Sequence, residues 1–211
     1  MLSPFKKPLE AILRKLARDN SIRTFHFVTY PSADADSDEL DTEEVKPYEL
    51  LPVPADYFRT HRLSDIVQQY CANPELVLGI ASRVLVRDHG RFASREIVQL
   101  DMDALWPDGD PNLTDDGMPS VVADGAFRLC GQAGYVVRSS VLFGFLQNFH
   151  YYGKKVLPHE QWENLMLKAQ RHALVGYIWP EYQLARGYSV LRVGTSKDKP
   201  QQPVPILQVA V

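Results

Sequence analysis

Apolar and polar residues alternate with period two over Ile22–Tyr30, the pattern of a strand with one face buried. Leu9, Ile12, Leu13 and Leu16 instead recur at helical spacing, predicting an amphipathic helix over residues 5–19. Tyr57, Phe58, Leu63, Ile66, Val67 and Tyr70 predict a second helix over about 55–72. Residues 76–87 read as a strand, and Asp88-His89-Gly90-Arg91 as the turn into another strand over Ser94–Asp101. A helix around 119–131 follows, then strands over Tyr135–Ser140 and Phe149–Gly153. Pro158 suits the first turn of a helix running to about Ala173, with Glu160 and Glu163 near its start and Lys168, Arg171 and His172 near its end. Tyr188–Val193 and Ile206–Val211 read as the last strands.

Pro47, Pro52 and Pro54 bound a linker, residues 105–118 carry the Pro, Asp, Gly and Asn of a loop, and 194–205 form a polar loop. No internal repeat and no convincing domain boundary interrupts the series. Its alternation of strands and helices predicts one mixed α/β domain.

The composition is ordinary for a globular protein of 211 residues. No stretch approaches the ~20 apolar residues of a membrane span, and no apolar leader is recognisable, so a cytoplasmic protein is expected. Cys71 and Cys130 lie far apart and read as buried thiols of a reducing compartment. The net charge of −3 hides an asymmetry. Asp34, Asp36, Asp38, Glu39, Asp41, Glu43 and Glu44 stand against Lys46 alone, so the rest of the chain is net basic, at +3. That balance permits a polyanionic partner. The acidic segment is expected to be a solvated loop with little weight in stability. The basic first helix reads as one that packs on its own domain.

The chemistry-bearing feature is Leu100-Asp101-Met102-Asp103 at a strand end. Strand alternation puts both carboxylates on one face, their Cα atoms ~6.5 Å apart, and Met102 on the other. Such a pair is either solvated or bridged by a cation, and all-oxygen ligands suit Mg²⁺ or Mn²⁺. His61, His89, His159 and His172 show no ligand spacing, Trp106, Trp162 and Trp179 read as packing residues, and no Gly-rich phosphate loop, Gly-x-Ser-x-Gly elbow or His-Glu-x-x-His motif occurs.

Downstream, Val137-Arg138-Ser139-Ser140 precedes Asn148-Phe149-His150-Tyr151-Tyr152-Gly153, and Leu184–Arg192 leads into a basic loop with Lys197 and Lys199. This ordered set, over residues 76–211, resembles the catalytic core of the archaeo-eukaryotic primase (primase–polymerase) superfamily. In feel it is nearest to small bacterial primase-like domains of mobile elements or antiviral systems. The resemblance implies largely antiparallel sheets with flanking helices. It implies a nucleotidyltransferase using Mg²⁺ or Mn²⁺, with Asp101 and Asp103 as metal ligands and His150 on the triphosphate. Arg138, Ser139, Asn148, Arg192, Lys197 and Lys199 would bind the nucleotide, and DNA or RNA would be the partner.

Two positions depart from the family pattern. Asn148 replaces a small residue but keeps a donor. Gly176 stands where a third acid is expected, and Glu181 lies a little further on. The departure favours a degenerate relative that binds nucleic acid or serves in a complex. An unrelated α/β protein is the third reading.

Overall fold

The structure, a computed structural model, describes residues 3–4, 9–31, 47–71, 73, 75–104, 118–142, 146–175, 178–194 and 203–208. The acidic segment 32–46, the loop 105–117, Gly176, Lys197 and Lys199 lie outside the described residues. Nine strands form one sheet: β1 (Ser3–Pro4), β2 (Ile22–Pro31), β3 (Leu51–Pro54), β4 (Leu76–Asp88), β5 (Arg91–Ala104), β6 (Gly134–Leu142), β7 (Leu146–Leu157), β8 (Val190–Arg192) and β9 (Val204–Gln208). Their spatial order is β1-β9-β6-β7-β5-β4-β2-β3, with β8 paired to β4, and every pairing is antiparallel. Helices α1 (Leu9–Asp19), α2 (Leu63–Tyr70), α3 (Met118–Cys130), α4 (His159–Ala169) and α5 (Ile178–Arg186) flank it. The chain is therefore an α+β protein, as the sequence pattern implied.

The central strands read as nearly continuous apolar runs because they are buried on both faces. Consecutive residues serve different cores. Ile97, Val137 and Tyr152 pack with Leu9, Ile12, Leu13 and Leu16 of α1, Phe58 and Ile66. Their neighbours Val98, Val136 and Tyr151 pack with Val122 and Ala126 of α3 and Trp162 and Met166 of α4. A smaller cluster holds Val28, Tyr30, Val77, Ala81, Tyr188 and Val190.

Three elements differ from the sequence pattern. The helix expected over 55–72 is broken into a 3₁₀ turn, Ala55–Arg59, and α2. The break is fixed where Arg62 N–H donates to Asp65 Oδ2 (2.8 Å) and Leu63 N–H to Glu10 Oε1 of α1 (2.9 Å). Part of the proline-bounded linker is the edge strand β3, where Pro52 and Pro54 are tolerated because one side needs no donors. Helix α5 was not read from the apolar pattern; Pro180 sits within its first turn, where no N–H is required.

One irregularity shapes the rest. β4 and β5 pair from Arg83↔Glu96 to Asp88↔Arg91 and then part. Beyond that point β4 takes β8 (Gly79↔Arg192 to Ala81↔Val190), while β5 continues along β7. Side chains satisfy the backbone at the fork. Gln99 Nε2 donates to the Ile80 carbonyl (3.3 Å), Ser189 N–H to Ser82 Oγ (3.0 Å), and Val190 N–H to Gln183 Oε1 of α5 (2.9 Å). At its apex the Glu96 carboxylate, 1% exposed, accepts from Ser82 Oγ (2.6 Å) and Arg83 Nε (3.2 Å) and stands 3.3 Å from His159 Nδ1.

Arg83→Met removes the cation beside this buried carboxylate and should cost about 3 kcal/mol. The reading is a lower urea midpoint at unchanged m. Exposed Lys168→Met should stay within about 0.5 kcal/mol. Equal midpoints for the two variants would show that the Arg83–Glu96 contact carries no weight.

Candidate functional site

β5 and β7 face each other as Gln99↔Tyr152, Asp101↔His150 and Asp103↔Asn148. Directly paired residues share a face, so these six positions form one polar row. The intervening Leu100, Met102, Phe149 and Tyr151 are fully buried in the opposite core. Asp101 and Asp103 thus share a face, with Met102 on the other. The side chain of Asp103 is outside the described residues. Asp101 Oδ1 lies 3.8 Å from His150 Nε2, with the carboxylate side chain 31% exposed and the imidazole 4%. That distance is an ion pair when the imidazole is protonated and too long for a hydrogen bond.

The fork brings β8 to this row. The Arg192 guanidinium, 6% exposed, donates through Nη1 to the Gly194 carbonyl (2.5 Å) and through Nη2 to the Ser139 carbonyl of β6. It therefore ties β8 across to β6. Tyr30 and Tyr152 complete the group. Burial pushes both phenols well above the usual tyrosine range; the Arg192 charge pulls both down and the Asp101 charge pushes both up. Four groups on β2, β5, β7 and β8 are thus in electrostatic reach of one another. The Tyr152 hydroxyl is buried with no hydrogen-bond partner among the described residues. The Tyr152 and His150 rings meet edge-on at 6.5 Å.

The candidates from the sequence divide clearly. Asp101, His150 and Asn148 share the row, with Asp103 in register. Arg192 is joined to them through the fork, and Ser139 enters through its carbonyl. Arg138 does not join them: it pairs with Phe149, on the face turned away from His150, and the sheet is irregular between Arg138 and Ser140. Lys197, Lys199, Gly176 and Trp106 lie outside the described residues. Glu181 stands in the first turn of α5 and makes no hydrogen bond or ion pair to the row among the described residues. Tyr30, Gln99 and Tyr152 were missed. Tyr152 was within reach of the pattern, two residues after His150 on an alternating strand; Tyr30 carried no signal.

Directly opposite Asp101 stands the His150 imidazole, so among the described residues Asp101 is the one carboxylate of the row that a hard divalent cation could use. Among the described residues no group of three His, Cys, Asp or Glu side chains surrounds a common point. No protein-family model, curated protein or solved structure matches the chain.

Burial raises the phenols of Tyr30, Tyr151 and Tyr152 and pushes Tyr135 up to about 12. Above about pH 10 the unfolded chain loses these protons and the folded chain keeps them, so stability falls with rising pH, by up to ~1.4 kcal/mol per unit per tyrosine. Phenolate absorbance should then appear together with loss of the fold between about pH 10 and 12. Ionisation of all ten tyrosines near pH 10 with circular dichroism unchanged would contradict the packing described.

Proposed function

We propose that this chain is a divalent-metal-dependent nucleotidyltransferase of the primase–polymerase type, acting on nucleotides and DNA or RNA. The supporting observation is the Asp101↔His150 register pair, in a row continued by Asp103 and Asn148 and joined by Arg192. The reaction is an in-line displacement. The attacking hydroxyl oxygen bonds to the α-phosphorus, the bond to the bridging oxygen breaks, pyrophosphate leaves, and the hydroxyl proton passes to solvent. Bound Mg²⁺ or Mn²⁺ would lower the charge on the attacking and leaving oxygens. Asp101 and Asp103 would hold it. His150, packed against Tyr152 and so fixed in orientation, would donate to a phosphate oxygen. The Asn148 amide offers a second donor. Lys197 and Lys199 would neutralise phosphate charge as point charges.

A catalytically degenerate relative is the second reading. Two of Arg192's donors already serve backbone carbonyls, and Gly176 offers no carboxylate where a third acid is expected. Such a chain would bind nucleotide or nucleic acid, or serve in a complex, without synthesis.

The test pairs nucleoside triphosphate binding in Mn²⁺ with de novo primer synthesis and primer extension in Mg²⁺ and Mn²⁺. Binding is expected, and Asp101→Asn should weaken it by at least about 10-fold, the lower bound set by losses of outer-sphere partners. Synthesis that Asp103→Ala abolishes assigns the enzyme, and Glu181→Gln then shows whether that residue supplies the third acid. Binding without synthesis assigns the degenerate form. Absence of both overturns the family reading.

A further inference from the structure

The hairpin of β4 and β5 ends far from Asp101: Phe92 stands nine residue steps of strand away, or about 30 Å. His89 and Gly90 both have positive φ (45° and 83°), giving a two-residue turn whose twist matches the flanking strands. Gly90 is suited to this position because it has no Cβ to strain. The turn projects Phe92, 66% exposed and the most exposed large apolar residue among those described. Its ring makes no aromatic or cation–π contact among the described residues. Much of the ring is therefore open to a planar ligand.

The charge around it is one-sided. Arg87 is the direct register partner of Phe92, so their Cβ atoms lie within about 5.5 Å on one face. Arg91 adjoins the turn on the opposite face, paired with Asp88, and Arg23 lies on β2 beside the hairpin, where Ile22 pairs with Val86. The acids at this end are already matched: Asp88 meets Arg95 (3.3 Å) and Asp19 meets Arg18 (3.0 Å). Among the described residues no acid forms an ion pair with Arg23, Arg87 or Arg91, although Asp88 is the register partner of Arg91. All three are exposed. Lys154 and Lys155 stand toward the same end on β7, next to Val156, whose N–H donates to Asn20 at the start of the turn into β2.

We infer that this hairpin tip is a binding site for single-stranded nucleic acid, with a base stacked on Phe92 and its phosphates against Arg87 and Arg23. An open aromatic face beside unpaired arginines is what an unstacked base and its phosphate require, and duplex DNA does not offer its base faces. The inference deepens the nucleic-acid reading above by naming the strand's form and a contact remote from the Asp101 row.

The experiment is fluorescence anisotropy with labelled oligodeoxythymidylate, run on the full chain beside Mn²⁺-nucleotide binding. Phe92→Ala should weaken oligonucleotide binding about 5- to 100-fold, the loss of one stacked base. It should leave nucleotide binding and the melting temperature unchanged. Phe92→Trp should retain the affinity. Arg87→Gln should weaken binding and reduce its salt slope by about one. Equal affinities for wild type and Phe92→Ala overturn the inference, as does tighter binding to a duplex of the same length. So does a dimer in sedimentation velocity that Phe92→Ala dissolves, since a second copy would then be what covers the ring. Nucleotide binding with no oligonucleotide binding removes the hairpin site alone. Phe92-dependent oligonucleotide binding without any nucleotide binding removes the enzyme reading alone.

Discussion

Where β4 and β5 part, two strands stop satisfying each other's backbone in the middle of a buried sheet. A buried polar group left without a partner costs about 1–3 kcal/mol, so a fork of this kind persists only if other groups take over. Here β8 takes the freed edge of β4, and Ser82, Gln99, Gln183 and Ser189 supply the remaining donors and acceptors. The Glu96 carboxylate anchors the apex through Ser82 and Arg83, and Arg83 reaches on to the Gly187 carbonyl just ahead of β8 (2.7 Å). A charge buried this deeply is costly unless every partner is in place. The network therefore pins β8 to a single register.

The polar row follows from that placement. β5, released from β4, continues along β7 past an irregularity between Ile97 and Gln99 and so sets Asp101 opposite His150. β8, held at the fork, carries Arg192 to the Ser139 carbonyl and into reach of Asp101, Tyr30 and Tyr152. Gly79 permits the close approach: a methyl there would meet Val190 Cγ1 at 2.5 Å and Tyr30 Cε1 at 2.9 Å. Packing of this kind leaves the Asp101 carboxylate partly exposed and nearly everything behind it dry, so a ligand at Asp101 would meet pre-positioned groups with little reorganisation.

Much of this was legible in the chain because it depends on local periodicity. The strand over Ile22–Tyr30, the alternation of Asp101, Met102 and Asp103, and the helix after Pro158 are all short-range patterns. What was not legible is non-local. The resemblance set Arg138 beside His150 as a nucleotide-binding residue, yet a one-residue difference in parity places it with Phe149 on the other face. Glu96 read as an ordinary strand residue, because nothing local reveals that Ser82, Arg83 and His159 surround it. Leu51–Pro54 read as linker because prolines exclude a central strand but not an edge. Helix α5 is nine residues with a proline in its first turn, too short for its apolar period to stand out. The resemblance to primase–polymerases rests on ordered residues in the sequence alone.

Paramagnetic broadening by Mn²⁺, followed amide by amide in an NMR spectrum at sub-stoichiometric metal, asks directly whether this row holds a cation. The account predicts that the amides of Asp101, Met102, Asn148 and His150 broaden first, and that Asp101→Asn removes the effect. Broadening confined to the seven acids between residues 34 and 44, with the β5–β7 amides untouched, would contradict it.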